Sequence, residues 1–475
     1  MENSRLIGLL RTFSKQEINE FGDFVNSPFH NKRTMVSKFY EQIREYYPGF
    51  NDPLMSKENI FKKMYCKGKY NDDLTRNLIS HLFKLAEEFL AYKAISEDTF
   101  IKKKYLLREL TEREQFRIFE KQLKITRELL KKDDMSLTKD FLDQYSLELE
   151  VVKFLNRSHS SPFLVNDNAQ KIADNLLKFF LMACMANYSY MINQSKNAFD
   201  YDFKMPFLEI ILDHVKENNY ESIPYILLQF NSINLLQNGE KKYFYELKNI
   251  LIRFRNKLTK VDVFNSYVFL YNYCYRQNIN GNEKFAREGF EVYKDAFTNE
   301  AYKPDGYLHH IFFKNAVTCA LTIDEFEWTE DFIKKYYVEL LEDQKDSSYN
   351  LCFAFLCFHK EKYDEALNYL SKITLEDITY KADVKVLTAM IFFELDSKES
   401  LLSHLDSYKH FLNSNKLIPA RLKETHSGFV KYLSLLLKTI EKKKKQGIRF
   451  LIMEIKKSDY FVYKKWLLKK AEDKA

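Results

Sequence analysis

Cys352, Cys357 and His359 are the tightest grouping of metal-ligating side chains in this chain of 475 residues. On one helix their offsets of i, i+5 and i+7 are poor for chelation, because the i+5 side chain points about 140° away from i. His309 and His310 are adjacent, and neighbours on a helix point about 100° apart. Gly68-Lys69 lacks the Gly five residues earlier and the Ser or Thr afterwards that a phosphate-cradling loop needs. The patterns GxGxxG, HExxH, GxSxG and the EF-hand loop are absent. Cysteines 66, 184, 274, 319, 352 and 357 lie in helical patterns without CxxC spacing, so they read as buried apolar residues. No catalytic, cofactor-binding or metal-binding residue is therefore expected, and the chain is expected not to be an enzyme.

Binding groups are better represented than catalytic ones. Residues 56–90 carry a short helix (KENIFKKMY), a turn (CKGKY) and a longer helix with Leu74, Leu78, Leu82, Leu85 and Phe89 inward. The pair resembles the helix-turn-helix of winged-helix regulators. The resemblance implies an exposed stripe of Arg76, Asn77, Ser80, His81 and Lys84, types that contact bases and phosphates. Against it, Asp72, Asp73, Glu87 and Glu88 make that helix net acidic, and the following segment reads as another helix where a wing would stand.

The C-terminal tail is the second binding candidate. From Lys438 to Ala475 there are 13 Lys/Arg and 5 Asp/Glu, a net of +8 against +7 for the whole chain, which leaves the other 437 residues at −1. The run Lys442, Lys443, Lys444 and Lys445 precedes an amphipathic segment with Ile448, Phe450, Leu451 and Ile455, then Tyr460, Phe461, Tyr463 and Trp466. Such a segment suits nucleic acid, an acidic protein or an anionic membrane surface. It also suits a polar cap that closes the open end of a helical stack.

The elements that must position these groups are legible in the composition. Gly (10) and Pro (8) together make up under 4 % of the chain, too few for hairpin or βα turns, which argues for helices joined by short polar loops. Ser14 and Glu17 have capping-box spacing before a stripe of Ile18, Phe21, Phe24 and Val25; Thr111 and Glu114 have the same spacing. The most apolar stretch, Phe179 to Ile192, is 14 residues long, short of the roughly 20 that span a bilayer. The start has too short an apolar run for a signal peptide, so a cytoplasmic location is expected.

Helical pairs recur in the second half. Counting Ser347 as the first of 34 residues puts Phe353, Ala354, Cys357, Ala366 and Leu370 at positions 7, 8, 11, 20 and 24. The next unit places Leu387, Thr388, Ile391, Ser400 and His404 there, His404 being the mismatch. Residues 347 to about 411 therefore resemble tetratricopeptide repeats, in which small residues stand where two helices cross and bulky ones beside them. Residues 205–345 share the plan of an aromatic-rich helix, a turn such as Asn280-Gly281, and a second amphipathic helix. The opening, LLRTFSKQEINEFGDFVNSPFHNK, resembles a group of long helical bacterial-type proteins of unknown function and implies no activity.

The expected fold is all-α, an N-terminal helical domain followed by a tetratricopeptide-like α-solenoid. Its parts would be a domain at 1–92, a connecting region at 93–204, an array at 205–437 and a capping segment at 438–475. The resemblance to repeat arrays implies a non-catalytic scaffold or adaptor that holds a protein segment. Tyr267, Tyr271, Tyr275 and Tyr349 are its candidate contacts, because Tyr offers large area at low entropy cost. The alternative is a nucleic-acid-binding regulator that uses the 56–90 pair or the basic tail.

Overall fold

The computed structural model describes residues 1–65, 69–131, 138–197, 202–441 and 445–475, so Cys66 and Gly68 lie outside the described residues. Among the described residues every regular element is helical, apart from one isolated bridge between Leu308 and Leu340. None of these helices is long and apolar enough to cross a membrane. Contacts divide the chain into two units, Met1–Lys132 with Asp143–Ile172, and Asp133–Leu142 with Ala173–Ala475.

In the first unit α1 (Arg5–Leu10), α2 (Lys15–Asn26), α3 (Thr34–Arg44) and α4 (Lys57–Met64) all pack on the long α5 (Asp72–Glu97). The expected capping box opens α2: Ser14 N donates to Glu17 Oε2 at 2.8 Å and Glu17 N to Ser14 Oγ at 3.2 Å. The face that α5 buries runs through Thr75, Leu78, Leu82, Leu85, Ala86 and Phe89. Leu74 sits one position off that face and is 38 % exposed, which corrects its inward placement.

A separate cluster, with Phe100, Leu107, Phe119 and Phe154, joins α6 (Thr99–Glu112), α7 (Phe116–Leu130) and α8 (Thr138–Arg157) from residue 143 on. The expected capping box at Thr111 does not form, because α6 continues through it and its hydroxyl donates to Leu107 O. The two clusters part between Phe89 and Phe100 inside this one unit, and α5 runs unbroken past residue 92.

The second unit takes in the start of α8, through Leu142, and resumes within α9 (Pro162–Asn197), followed by α10 (Leu208–Glu217), α11 (Pro224–Asn238) and α12 (Lys241–Phe254). Four helix pairs come next: α13 (Lys260–Ile279) with α14 (Lys284–Thr298), α15 (His310–Leu321) with α16 (Phe326–Tyr336), α17 (Lys345–His359) with α18 (Tyr363–Leu370), and α19 (Ile378–Glu394) with α20 (Lys398–Ser414). The chain ends in α21 (Ala420–Glu441), α22 (Lys445–Lys457) and α23 (Lys464–Asp473).

Partners within a pair run antiparallel. In the first pair Tyr267 meets Asp295, Tyr271 meets Tyr293 and Tyr273 meets Phe285; in the third Phe353 meets Tyr369 and Phe358 meets Tyr363. The four pairs also turn alike. Each first helix ends on a residue of positive φ, Gly281 (92°), Asp324 (59°), Glu361 (59°) or Asp396 (51°). The following N–H reaches back to a carbonyl five residues earlier, as in Asn282 N to Gln277 O at 3.0 Å and Lys362 N to Cys357 O at 2.8 Å. This is the Schellman closure, which satisfies the last free carbonyls of a helix.

Between pairs, α11 packs on α13, α15 on α17, and α17 on α19, so the first helices form a row. Phe353, Ala354, Cys357, Ala366 and Leu370 are all buried. In the fourth pair Ser400 is exposed and Leu401 and Leu405 take the buried places, so the 34-residue register slips by one there.

Candidate functional site

From α15 to α19 the row of first helices is tied together by buried polar side chains. Lys314 on α15 donates to Asp383 on α19 at 2.6 Å, with side chains only 8 % and 16 % exposed. Tyr380 donates to His310 O at 3.1 Å and lies 3.0 Å from Ser348 Oγ, so one phenol ties α19 to both α15 and α17. A buried pair of opposite charges with hydrogen-bonded neighbours fixes register more than it adds stability.

Between α13 and α15 the row opens into a cleft of 270 Å³. Phe264, Val268, Tyr271 and Asn272 share one face of α13 by their i, i+4, i+7 and i+8 spacing and form one wall. Residues 309–312 and Asn315 form the other, and Phe264 spans the floor to Phe312 with ring centroids 5.1 Å apart. The lining is mostly apolar with a polar rim. Small-molecule and cofactor pockets usually hold about 300–1,000 Å³, so the cleft better matches a side chain or two than a cofactor.

The titratable groups at the rim are engaged structurally. His309 Nε2 lies 3.2 Å from Asp305 Oδ2, and His310 Nδ1 lies 2.9 Å from Gln344 Oε1. The two histidines face different partners, but not through helical spacing, since His309 stands in extended backbone just before α15 and only His310 lies within the helix. Burial pushes the Cys319 thiol up to about 12 and raises Cys274 and Cys352 as well, which disfavours the thiolate a nucleophile needs. Among the described residues no three His, Cys, Asp or Glu side chains stand close enough to hold a metal ion.

The four candidate tyrosines separate by environment. Tyr267 is a core residue, 1 % exposed, with its hydroxyl on Asp295 Oδ2 at 2.5 Å, so it has no surface to offer. Tyr271 lines the cleft, its ring 4.4 Å from Tyr293. Tyr275, one turn further along α13, is 44 % exposed and shares a 2.8 Å hydrogen bond with the Tyr460 hydroxyl. Tyr349 is half-buried on α17 against Tyr337 and Phe353, away from the cleft. The structure therefore brings Tyr271 and Tyr275 together and leaves the other two apart.

The nucleic-acid candidates lie on α5, where Arg76, Asn77, Ser80 and Lys84 are exposed and His81 is half-buried. Arg76 is held by Asp72 at 2.7 Å, and the His81 ring contacts Arg33. His81 is lowered, first by burial and then by Arg33 and Lys84, so its neutral form is favoured. Lys442, Lys443 and Lys444 lie outside the described residues; Lys445 opens α22, but its side chain also lies outside them.

Sequence reasoning missed Phe264, Val268 and Asn272 as a wall and Lys314 with Asp383 as a tie. The first was open to detection as an i, i+4, i+8 face next to Tyr271; the second, 69 positions apart, carries no local signal. No protein family, curated protein or solved structure matches this chain.

Proposed function

We propose that this protein is a non-catalytic scaffold or adaptor whose tetratricopeptide-like α-solenoid holds a segment of another protein in the cleft between α13 and α15. The observation that carries the reading is the cleft itself, an apolar 270 Å³ recess with a polar rim in a row of otherwise close-packed helices. Recesses of that kind receive the large anchoring side chains that dominate protein interfaces. Four successive antiparallel pairs with the same turn closure support the solenoid reading. A cytoplasmic location belongs to the same proposal.

Nucleic-acid binding through α5 has less support, since the stripe is flanked by Asp72, Asp73, Glu87 and Glu88 and its Arg76 is already paired.

The test is capture from the native cell with the full chain and with Val268→Arg, whose side chain would fill the cleft, each half treated with nuclease. A protein that survives nuclease with the wild type and is lost with a Val268→Arg chain of equal melting temperature supports the scaffold. Material that disappears with nuclease, or that both chains retain equally, overturns it.

A further inference from the structure

The basic tail has two different sides. On the inner side Phe461 is 2 % exposed and stacks on Tyr432 at 5.2 Å, while Leu467 and Ala471 are fully buried. Ile448, Leu451 and Ile455 seat α22 in the same core, at 4 %, 4 % and 0 % exposed. Lysines of the tail support this seat. Lys470 meets Glu394 at 2.8 Å, Lys464 donates to Ser458 O at 2.6 Å, and Lys456 meets Glu472 at 2.9 Å. So far this is a cap that closes a helical stack.

The outer side does not fit a cap alone. A cap turns a polar face to water. Yet Phe450 and Met453 stand on the outside of α22 at 60 % and 55 % exposed. With Lys457 they follow i, i+3 and i+7 spacing, which puts all three on one face, away from Ile448, Leu451 and Ile455. Arg449 flanks them and is exposed, as is Glu454. The helix holds four Lys/Arg against that one Glu, and Lys442, Lys443 and Lys444 precede it in sequence.

Apolar side chains at the outermost line of a basic helix suit an anionic bilayer. They enter the boundary between headgroups and acyl chains, while Lys and Arg meet the headgroup charge. The phosphates of a nucleic acid would use the cations but leave Met453 in water. We propose that the outer face of α22 docks the protein on an anionic membrane surface. Phe450 and Met453 insert among the headgroups, and Arg449 and Lys457 lie on lipid phosphate and carboxylate groups. The inner side stays in the core, so docking requires no movement of the tail. The face is separate from the cleft between α13 and α15, and neither reading depends on the other.

Co-sedimentation of the full chain with vesicles tests the docking, using phosphatidylcholine alone and phosphatidylcholine with about one third phosphatidylserine. The wild type should sediment with the anionic vesicles and not with the neutral ones, and less as salt rises. Phe450→Ser/Met453→Ser, with an unchanged melting temperature, should weaken that binding roughly tenfold. Arg449→Gln/Lys457→Gln should weaken it as well. A wild type that binds neither vesicle, or both equally, overturns the proposal. So does a serine variant that binds like the wild type, because adhesion would then be a matter of charge alone. If vesicles fail and a mixed-sequence RNA is bound by the wild type but lost by Arg449→Gln/Lys457→Gln, the face belongs to nucleic acid instead.

Discussion

At the scale of single residues, the polar groups of the second unit are spent on holding helices. Lys314 and Asp383 are the strongest case, a nearly buried pair at 2.6 Å that skips over α17. Removing one member leaves a buried charge uncompensated, so Lys314→Met should cost about 3–5 kcal/mol. Lys314→Met/Asp383→Leu should recover most of that, and urea midpoints of the two variants decide it. His426 gives a pH handle: buried beside Tyr408, it is pushed down to about 4 from 6.5, first by burial. Between those values the unfolded chain takes up a proton that the folded chain refuses. Its contribution is therefore complete above pH 6.5 and is lost as pH falls toward 4, up to about 3 kcal/mol in all. Thermal melts across that range should steepen with acid in the wild type and less so in His426→Asn. Tyr267, Tyr271 and Tyr275 show what sequence leaves open at this scale. Their offsets of four put all three near one side of α13, yet one is core, one lines the cleft and one meets the tail, because neighbours far along the chain decide.

At the scale of elements, the helices themselves were legible. Scarce Gly and Pro, the Ser14–Glu17 box and the stripe of α2 predict what is observed. Thr111 failed as a cap because capping-box spacing also occurs inside helices, where a Thr hydroxyl bonds to the carbonyl four residues back. The recurring turn was hidden for a different reason. Gly281 shows the residue type most expected of positive φ, Asp324 and Asp396 belong to a type that tolerates it but is common elsewhere, and Glu361 adopts it without advertising it. Ser400 failed as a small crossing residue because α20 is rotated to bury Leu401 instead. The seat of the tail on α21 rests on an absent Cβ, so Gly428→Val should overpack against Phe461 and cost about 1–3 kcal/mol. Trypsin should then cut faster at the lysines from 456 to 470, while unchanged cleavage would show that Phe461 does not need that space.

At the scale of the whole molecule, composition fixes the all-α class, since 10 Gly and 8 Pro in 475 residues cannot supply the turns of a sheet protein. What no local pattern carries is the return of the tail to α13, because contacts such as Tyr275 with Tyr460 depend on the accumulated geometry of every pair between them. The claim at this scale is that the opening between α13 and α15 is where a protein partner docks. Photo-crosslinking in the native cell tests it most directly, with a benzophenone amino acid placed once at Val268 in the cleft and once at Asn77 on the exposed stripe of α5. The account predicts a discrete protein adduct from position 268 that persists after nuclease treatment, and none from position 77. Adducts from position 77 alone, removed by nuclease, would contradict it.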